Sequence, residues 1–268
     1  MSRIARLCAA ALAVLLTVSA TAAHADTFSD ILERGTLRVG VSLFTPWTMR
    51  GETGELSGFE IDVANKLAAD MGVKAAFKVY DWEAIIPALN RDEFDVIIAG
   101  MGITPGRALK VVFSRPYAEA GVGLATNTAM TRDIDSLTGL NQEGIVIATV
   151  SETMAGDLTP QLFPRAEIRA VTKPETAEAL VLEGKAHAYV ATVDEARFLA
   201  LRHPDTVDVP LDEPLLRSRA GMAVRRGEQE LLNYLNAWVT ARDADRWLDT
   251  SHKYWFESLR WMEEAEAP

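Results

Sequence analysis

The chain has 268 residues, of which 27 are basic and 38 acidic, so its formal net charge is -11. Apolar residues make up 49% and charged residues 24%, which is typical of a folded globular protein and leaves room for one large domain or two smaller ones. Because phosphate backbones and anionic membranes attract basic surfaces, this acidic balance argues against a nucleic-acid-binding protein and against electrostatic docking on a membrane.

The first 25 residues have the pattern of a secretory signal peptide. Arg3 and Arg6 form a basic start, residues 7–23 are apolar or small, and Ala23-His24-Ala25 is a cleavage site of the A-x-A type. The apolar run is short for a membrane span of about 20 residues and ends in small residues, which favours a cleaved signal over a transmembrane anchor. We therefore expect a mature chain that begins at Asp26 and is exported.

The single cysteine, Cys8, lies inside this segment and lacks the apolar box that precedes a lipidated cysteine. The predicted mature chain therefore has no thiol, which excludes disulfides, cysteine-ligated metals and thiol catalysis, and suits an oxidising compartment. The histidines show no metal-ligand spacing, and the sequence contains neither a nucleophile elbow nor a phosphate loop. We expect a soluble, non-lipidated protein without metal or cofactor.

From residue 36 onward, the hydrophobic pattern alternates between strands and helices. Strands are predicted at 36–41, 75–80, 94–99, 145–150, 167–171 and 186–191, and helices at 59–71, after Asp81, at 177–182, at 194–201 and in the tail from 228. The β-branched apolar run at 94–99 is typical of a strand buried on both faces. This alternation predicts an α/β fold with mostly parallel sheets.

The same pattern indicates two lobes that the chain connects twice. A stretch with two glycines at 116–123 is predicted as the first crossing, and 216–221 as the return. Lobe 1 would then comprise residues 26–119 and 220–268, and lobe 2 residues 120–219.

The tail from Glu228 onward is predicted to be helical and carries Trp238, Trp247, Trp255 and Trp261. Their spacing is helical and their neighbours are charged, so we expect these tryptophans to pack against lobe 1 as aromatic anchors rather than line a ligand site.

Five short motifs follow one another in the first half of the chain. They are L-R-V-G-V at 37–41, G-E-L-S-G-F-E-I-D at 54–62, F-D-V-I-I-A-G-M at 94–101, I-T-P-G-R at 103–107 and F-S-R-P-Y at 113–117. In these motifs the chain resembles the family 3 periplasmic solute-binding proteins, which are polar amino-acid receptors of ABC importers. The resemblance runs from about residue 30 to the tail and is weaker after residue 118.

This resemblance implies the two-lobed periplasmic-binding-protein fold of type II, with the ligand cleft between the lobes and closure by a hinge. The ligand would be a small carboxylate-bearing metabolite, an amino acid or a related organic acid. A monomeric protein would deliver it to the permease subunits of an ABC importer.

Arg107 is the first candidate for ligand binding. Thr104, Pro105 and Arg107 suit the N-cap, N1 and N3 positions of a helix, which would place the guanidinium beside free backbone N–H groups. A guanidinium matches a carboxylate with two hydrogen bonds, and the resemblance gives the matching arginine that role. We therefore expect Arg107 to bind the ligand's carboxylate rather than to form only a surface salt bridge.

The resemblance also implies cleft walls. Trp82 and Phe44 match aromatic positions that cover the ligand, and Trp47 is a weaker candidate because core packing explains most tryptophans. Thr153 is placed where the family has a hydroxyl residue on lobe 2, although an ordinary helix-start residue explains it nearly as well. Gly100, in the third motif, is also included among the ligand-binding residues.

Two positions depart from the family's pattern. Gly102 stands where the family usually has Ser or Thr, and Thr192 stands where it usually has the Asp that pairs with a ligand's α-ammonium. Either Glu152, Asp194 or Glu195 replaces that aspartate, or the ligand has no α-amino group. Since both departures remove contacts to an ammonium, the sequence favours a ligand without one.

Glu195 also supports an enzymatic alternative. The segments D-E-A-R at 194–197 and R-H-P at 202–204 resemble cyclohexadienyl dehydratase, which has this fold and acts on prephenate or arogenate. Glu195 would then be a general acid whose pKa is raised by burial. The loop 149–153 lacks that enzyme's Asn and paired glycines, and acids at helix starts are commonly capping residues, so solute binding is the favoured function.

Overall fold

The computed structural model describes residues 27–258 and 261–262. The predicted signal peptide, the cysteine within it and the mature start at Asp26 lie outside the described residues and stay predictions. Within the described residues, no helix combines the length and the apolar character that a membrane span requires.

Strands and helices alternate along the described chain. The strands are β1 Thr36–Val41, β2 Met49–Arg50, β3 Leu56–Ser57, β4 Lys74–Val79, β5 Val96–Ile97, β6 Val112–Asn127, β7 Val146–Val150, β8 Glu167–Val171, β9 Ala188–Thr192, β10 Val207–Asp208 and β11 Leu216–Val224. The α-helices are α1 Thr27–Arg34, α2 Phe59–Asp70, α3 Trp82–Asn90, α4 Pro105–Ala108, α5 Leu137–Leu140, α6 Met154–Leu162, α7 Pro174–Leu182, α8 Val193–Arg202, α9 Gln229–Ala244 and α10 Trp247–Lys253, followed by a π-helical turn at Tyr254–Ser258. The predicted α/β alternation is confirmed.

A curled sheet runs through both lobes in the order β4-β1-β5-β11-β6-β9-β7-β8, and β10 pairs with β6. At its two ends the strands pair in parallel, β1 with β4 and β5, and β7 with β8 and β9. In the middle, β11 is antiparallel to β5 and β6, and β6 is antiparallel to β9. Parallel pairs therefore form the two ends of the sheet, and antiparallel pairs form its middle.

The long strand β6 and the strand β11 connect the two lobes side by side. Their register pairs Leu216 with Val122 and Gly221 with Pro116, so both segments predicted as crossings lie in one ladder. Two register shifts interrupt this ladder, one on each side of Gly221. The lobe boundaries at 119/120 and 219/220 stay a prediction.

The tail packs on the core around β1 and α2, as its tryptophan spacing predicts. Trp238 and Trp255 are buried in this core, and Trp247 and Trp261 pack against it. The indole N–H groups of the two buried tryptophans donate to carboxylates of α2, at 2.9 and 2.7 Å. These aromatic side chains therefore stabilise the first lobe and lie away from the cavity described below.

The segment 94–99 forms a shorter strand than its sequence predicts. All six residues are buried, but only Val96–Ile97 is assigned to β5. Single backbone bonds to β1 extend the pairing, from Asp95 N to Arg38 O and from Ile98 N to Gly40 O. The chain then turns at Gly100, whose φ of +57° is the left-handed conformation that glycine adopts readily.

Candidate ligand-binding site

A cavity of about 300 Å³ lies at the carboxyl ends of β1, β4 and β5 in one lobe and of β7, β8 and β9 in the other. This is the edge at which open α/β sheets bind ligands. All of the predicted ligand-binding residues except Glu152 line it, namely Arg107, Trp82, Phe44, Gly100, Gly102, Thr153, Thr192 and Glu195. In the described part of the chain, no cluster of His, Cys, Asp or Glu has the size needed to hold a metal ion.

Arg107 reaches the cavity from the short helix α4. The Thr104 hydroxyl accepts a hydrogen bond from Arg107 N at 3.2 Å, and Pro105 begins the helix, so the predicted cap is confirmed. The guanidinium donates to Gly102 O at 3.0 Å and, across the cavity, to Glu152 O at 3.3 Å. Both acceptors are carbonyl oxygens.

The electrostatic environment of Arg107 favours an anionic ligand. Burial lowers the pKa of its guanidinium, Asp157 partly offsets this by raising it, and an arginine stays protonated at neutral pH. The guanidinium carbon lies 5.2 Å from the centre of the Trp82 ring, which gives a cation–π contact. Among the described residues it hydrogen-bonds no carboxylate, so a ligand carboxylate would supply the missing counter-charge.

The aromatic wall consists of Trp82 and Phe44. Their ring centres are 6.0 Å apart and nearly perpendicular. Trp47, the weaker wall candidate, instead lies in the core at 1% exposure, with its ring against Phe59 and Phe256. Core packing is therefore the role that the structure gives to Trp47.

Glu152 contributes its backbone rather than its carboxylate. Its φ of +58° turns the chain so that its carbonyl oxygen accepts from Trp82 Nε1 at 3.0 Å as well as from Arg107. Its side chain is exposed and does not line the cavity. Thr153, the next residue, lines the cavity and also caps α6, because its hydroxyl accepts from Gly156 N at 2.9 Å.

A methionine from the opposite wall of the cavity occupies the space next to Gly102. A Cβ atom added to Gly102 would lie 2.4 Å from Met154 Sδ. The methionine thus fills the space that a larger side chain at position 102 would occupy. Three further residues line the cavity that the sequence analysis did not predict, namely Met154, Tyr189 and Ser218. Two of them could have been found from their positions, because Met154 follows Thr153 directly and Ser218 lies in the segment predicted as the return crossing.

Glu195 is buried, with 8% of its surface exposed, at the first turn of α8. Its Oε2 accepts from Thr192 N at 3.0 Å and from the Thr192 hydroxyl at 2.8 Å, while Glu195 N donates back to that hydroxyl at 3.1 Å. The pair forms a capping box, so the capping role that the sequence allowed is present together with a place in the cavity wall. Burial raises the pKa of Glu195 to about 7, against the opposing effect of the Thr192 bonds.

The model of the bacterial extracellular solute-binding proteins, family 3, matches residues 37–258. The chain belongs to this family. The match includes both crossing strands and every predicted ligand-binding residue, so the resemblance stated from the motifs is confirmed. The two-lobed family 3 fold also explains why one sheet joins two cores.

Individual relatives of this family 3 protein include both binding proteins and an enzyme. The L-cystine-binding protein TcyJ of Escherichia coli K12 is 28% identical over 232 residues, covering 85% of each chain. Cyclohexadienyl dehydratase of Pseudomonas aeruginosa PAO1 is 26% identical over 253 residues, covering 92% of each. Among solved structures, the ancestral amino acid-binding protein AncCDT-1, described as a precursor of cyclohexadienyl dehydratase, superposes with a TM-score of 0.80 at 34% identity, covering 87% of this chain and all of that one.

Proposed function

We propose that the protein is the periplasmic amino-acid-binding component of an ABC importer. The observation that carries this proposal is the half-buried guanidinium of Arg107, which faces a cavity of amino-acid size and, among the described residues, donates hydrogen bonds only to carbonyl oxygens. The names of its relatives support the same class, because TcyJ binds L-cystine and AncCDT-1 is an amino acid-binding protein.

Binding would use both walls of the cavity. The ligand's carboxylate pairs with Arg107, and Trp82 and Phe44 cover the apolar part of its side chain. The lobes turn about β6 and β11, near 119/120 and 219/220, and closure removes water from the charged pair, which strengthens it. The lobe surfaces beside the cavity mouth then contact the permease subunits, to which a monomer delivers the ligand.

The proposal is tested by thermal unfolding with the proteinogenic amino acids and L-cystine, each at millimolar concentration. A ligand that binds only the folded state raises the unfolding temperature. Arg107→Ala removes a charged pair that contributes about 1.5–3 kcal/mol, so we expect at least a tenfold loss of affinity by calorimetry. Arg91→Ala is the matched control, because Arg91 is exposed and pairs with Glu93 away from the cavity. Unchanged affinity in Arg107→Ala would refute the proposal.

A second candidate function, dehydration and decarboxylation of prephenate to phenylpyruvate, is favoured by one observation. Glu195 lines the cavity and carries a pKa of about 7, which suits a general acid that protonates a leaving hydroxyl. Incubation with prephenate and detection of phenylpyruvate decides between the two. Turnover by the wild type that is lost in Glu195→Gln would support the enzyme, and no turnover would leave amino-acid binding as the function.

A further inference from the structure

The hydroxyl of Ser218 is a polar group of the cavity wall that the binding scheme above does not use. Ser218 lies on β11, the return crossing, where it is half-buried and lines the cavity. Its hydroxyl forms no hydrogen bond with any other part of the chain that the structure describes. The hydroxyls of Thr153 and Thr192, which also line the cavity, are instead engaged in capping helices. Ser218 therefore has a hydrogen-bond donor available for a ligand.

A short backbone pairing places Ser218 beside the guanidinium of Arg107. Gly102 forms an isolated antiparallel bridge with Ala220 on β11, and the residues on either side of this bridge form backbone N–H···O hydrogen bonds of 2.9 and 3.1 Å. Because alternate residues of a strand share a face, Ser218 projects from the same face as Ala220. A Cβ atom added to Gly102 would lie 3.5 Å from Ser218 Oγ and 3.6 Å from Arg107 Nη1. The hydroxyl and the guanidinium therefore border the same small space.

Met154 borders this space from the opposite wall of the cavity. The same added Cβ atom would lie 2.4 Å from Met154 Sδ, and the methionine is half-buried at the start of α6. A thioether has no hydrogen to donate and is only a weak acceptor, so it does not occupy the two donors beside it. It covers them from water instead, which strengthens a charged hydrogen bond. Gly102, Arg107, Met154 and Ser218 together form one corner of the cavity.

The three acids named from the sequence do not bond to the donors of this corner. The Glu152 side chain is exposed and outside the cavity wall. Asp194 accepts a hydrogen bond from Trp47 Nε1 at 3.2 Å. Glu195 lines the cavity, but its two hydrogen bonds of 3.0 and 2.8 Å come from the residue that caps its own helix. A carboxylate at the corner would therefore have to come from a ligand.

Three further charged residues line the cavity beside the outer strands of the sheet. Asp81 follows β4, and Lys173 and Glu175 follow β8, which are the two end strands. Arg107 and Ser218 belong to the middle of the sheet, because α4 follows β5 and β5 pairs with β11. Lys173 is a second cation to which a carboxylate could bind. Affinity would then not depend on Ser218, so variants of Ser218 distinguish the two positions.

We propose that Ser218 is a ligand-binding residue whose hydroxyl donates a hydrogen bond to the same carboxylate that Arg107 binds. The inference rests on the proposed function and adds a second donor to it, on a strand that joins the two lobes. The hydroxyl meets the carboxylate rather than an ammonium, because the neighbouring guanidinium attracts an anion and repels a cation. The ligand's carboxylate thus contacts the crossing strand itself as the lobes close around it.

The test is calorimetry with whichever of the proteinogenic amino acids and L-cystine raises the unfolding temperature of the wild type most. Ser218→Ala should weaken binding about tenfold, because hydrogen bonds to charged groups are the stronger ones. In an Arg107→Ala background, the same substitution should change affinity by less than about twofold, since the carboxylate is no longer held beside the hydroxyl. Ser57→Ala is the matched control. Ser57 is also half-buried on a strand, lies outside the cavity, and should leave affinity unchanged.

Urea unfolding without ligand separates a ligand contact from a structural role. Because the Ser218 hydroxyl bonds to no described protein group, Ser218→Ala should unfold at the same urea concentration as the wild type, and a clearly lower midpoint would overturn the inference. Unchanged affinity in Ser218→Ala, with affinity still lost in Arg107→Ala, would overturn the inference alone. An equal loss with and without Arg107 would also overturn it, because the two groups would not share a carboxylate. Absence of binding by every amino acid tested would overturn the inference and the proposed function together.

Discussion

Glu60 offers a test of how the cavity floor is built. It is fully buried at the start of α2, where its Oε1 accepts from Gly100 N at 2.8 Å and both carboxyl oxygens lie 2.8 Å from the Tyr117 hydroxyl. Gly100 lines the cavity and Tyr117 lies on the crossing strand β6. Burial raises the pKa of Glu60 to about 8, although these hydrogen bonds oppose the rise.

The magnitude follows from the two pKa values of Glu60. A glutamate ionises at 4.5 in the unfolded chain and at about 8 in the folded one. Its contribution to stability is therefore fully present below pH 4.5 and is lost as the pH rises to 8. With about 1.4 kcal/mol for each unit, the free energy of unfolding falls by roughly 4 kcal/mol over this range, and by about 3 kcal/mol between pH 5 and 8.

Glu60→Gln preserves the side-chain shape and removes the titration. We expect the variant to gain about 3 kcal/mol relative to wild type when the pH is raised from 5 to 8, measured by urea unfolding. Other titrating groups cancel in this difference because both proteins contain them. Glu83→Gln, at an exposed position on α3, should show no such gain. A difference between Glu60→Gln and wild type that stays constant with pH would refute the reasoning.

Two further predictions concern the first lobe. Asp95 is fully buried and forms ion pairs of 2.6 Å with two arginines, so Asp95→Asn should cost about 3–5 kcal/mol in urea unfolding; a loss under 1 kcal/mol would contradict this. Gly58 has a φ of +126°, and a Cβ atom there would lie 2.4 Å from Trp47 O, whereas Gly54 has a φ of +94° and open space around it. Gly58→Ala should therefore lower the unfolding temperature clearly more than Gly54→Ala, and equal effects would show that the contact with Trp47 relaxes without cost.

The parts of the site that depend on local sequence could be predicted. The cap at Thr104, the helix start at Pro105 and the position of Arg107 follow from residues three apart, and the structure has them as expected. The α/β alternation was also predictable, since buried strands and amphipathic helices differ in hydrophobic period.

The parts that depend on contacts between distant segments could not be predicted. Glu152, Asp194 and Glu195 differ little in sequence context, and only the fold determines that one faces the cavity, one faces Trp47 and one faces solvent. The close approach of Met154 to Gly102 brings together residues that are 52 positions apart in the sequence and lie on opposite walls of the cavity. The short β5 has a similar cause, because the left-handed turn at Gly100 ends a run whose composition would allow a longer strand.

The binding of the ligand's carboxylate by Arg107 is tested most directly by a crystal structure with the amino acid that binds best, which shows the position of that carboxylate. We predict both carboxylate oxygens at about 2.7–3.0 Å from the Arg107 guanidinium, with the ligand's side chain against Trp82. A carboxylate bound elsewhere, for example by Lys173 in the wall of the second lobe, with Arg107 still bonded to Glu152 O, would contradict it.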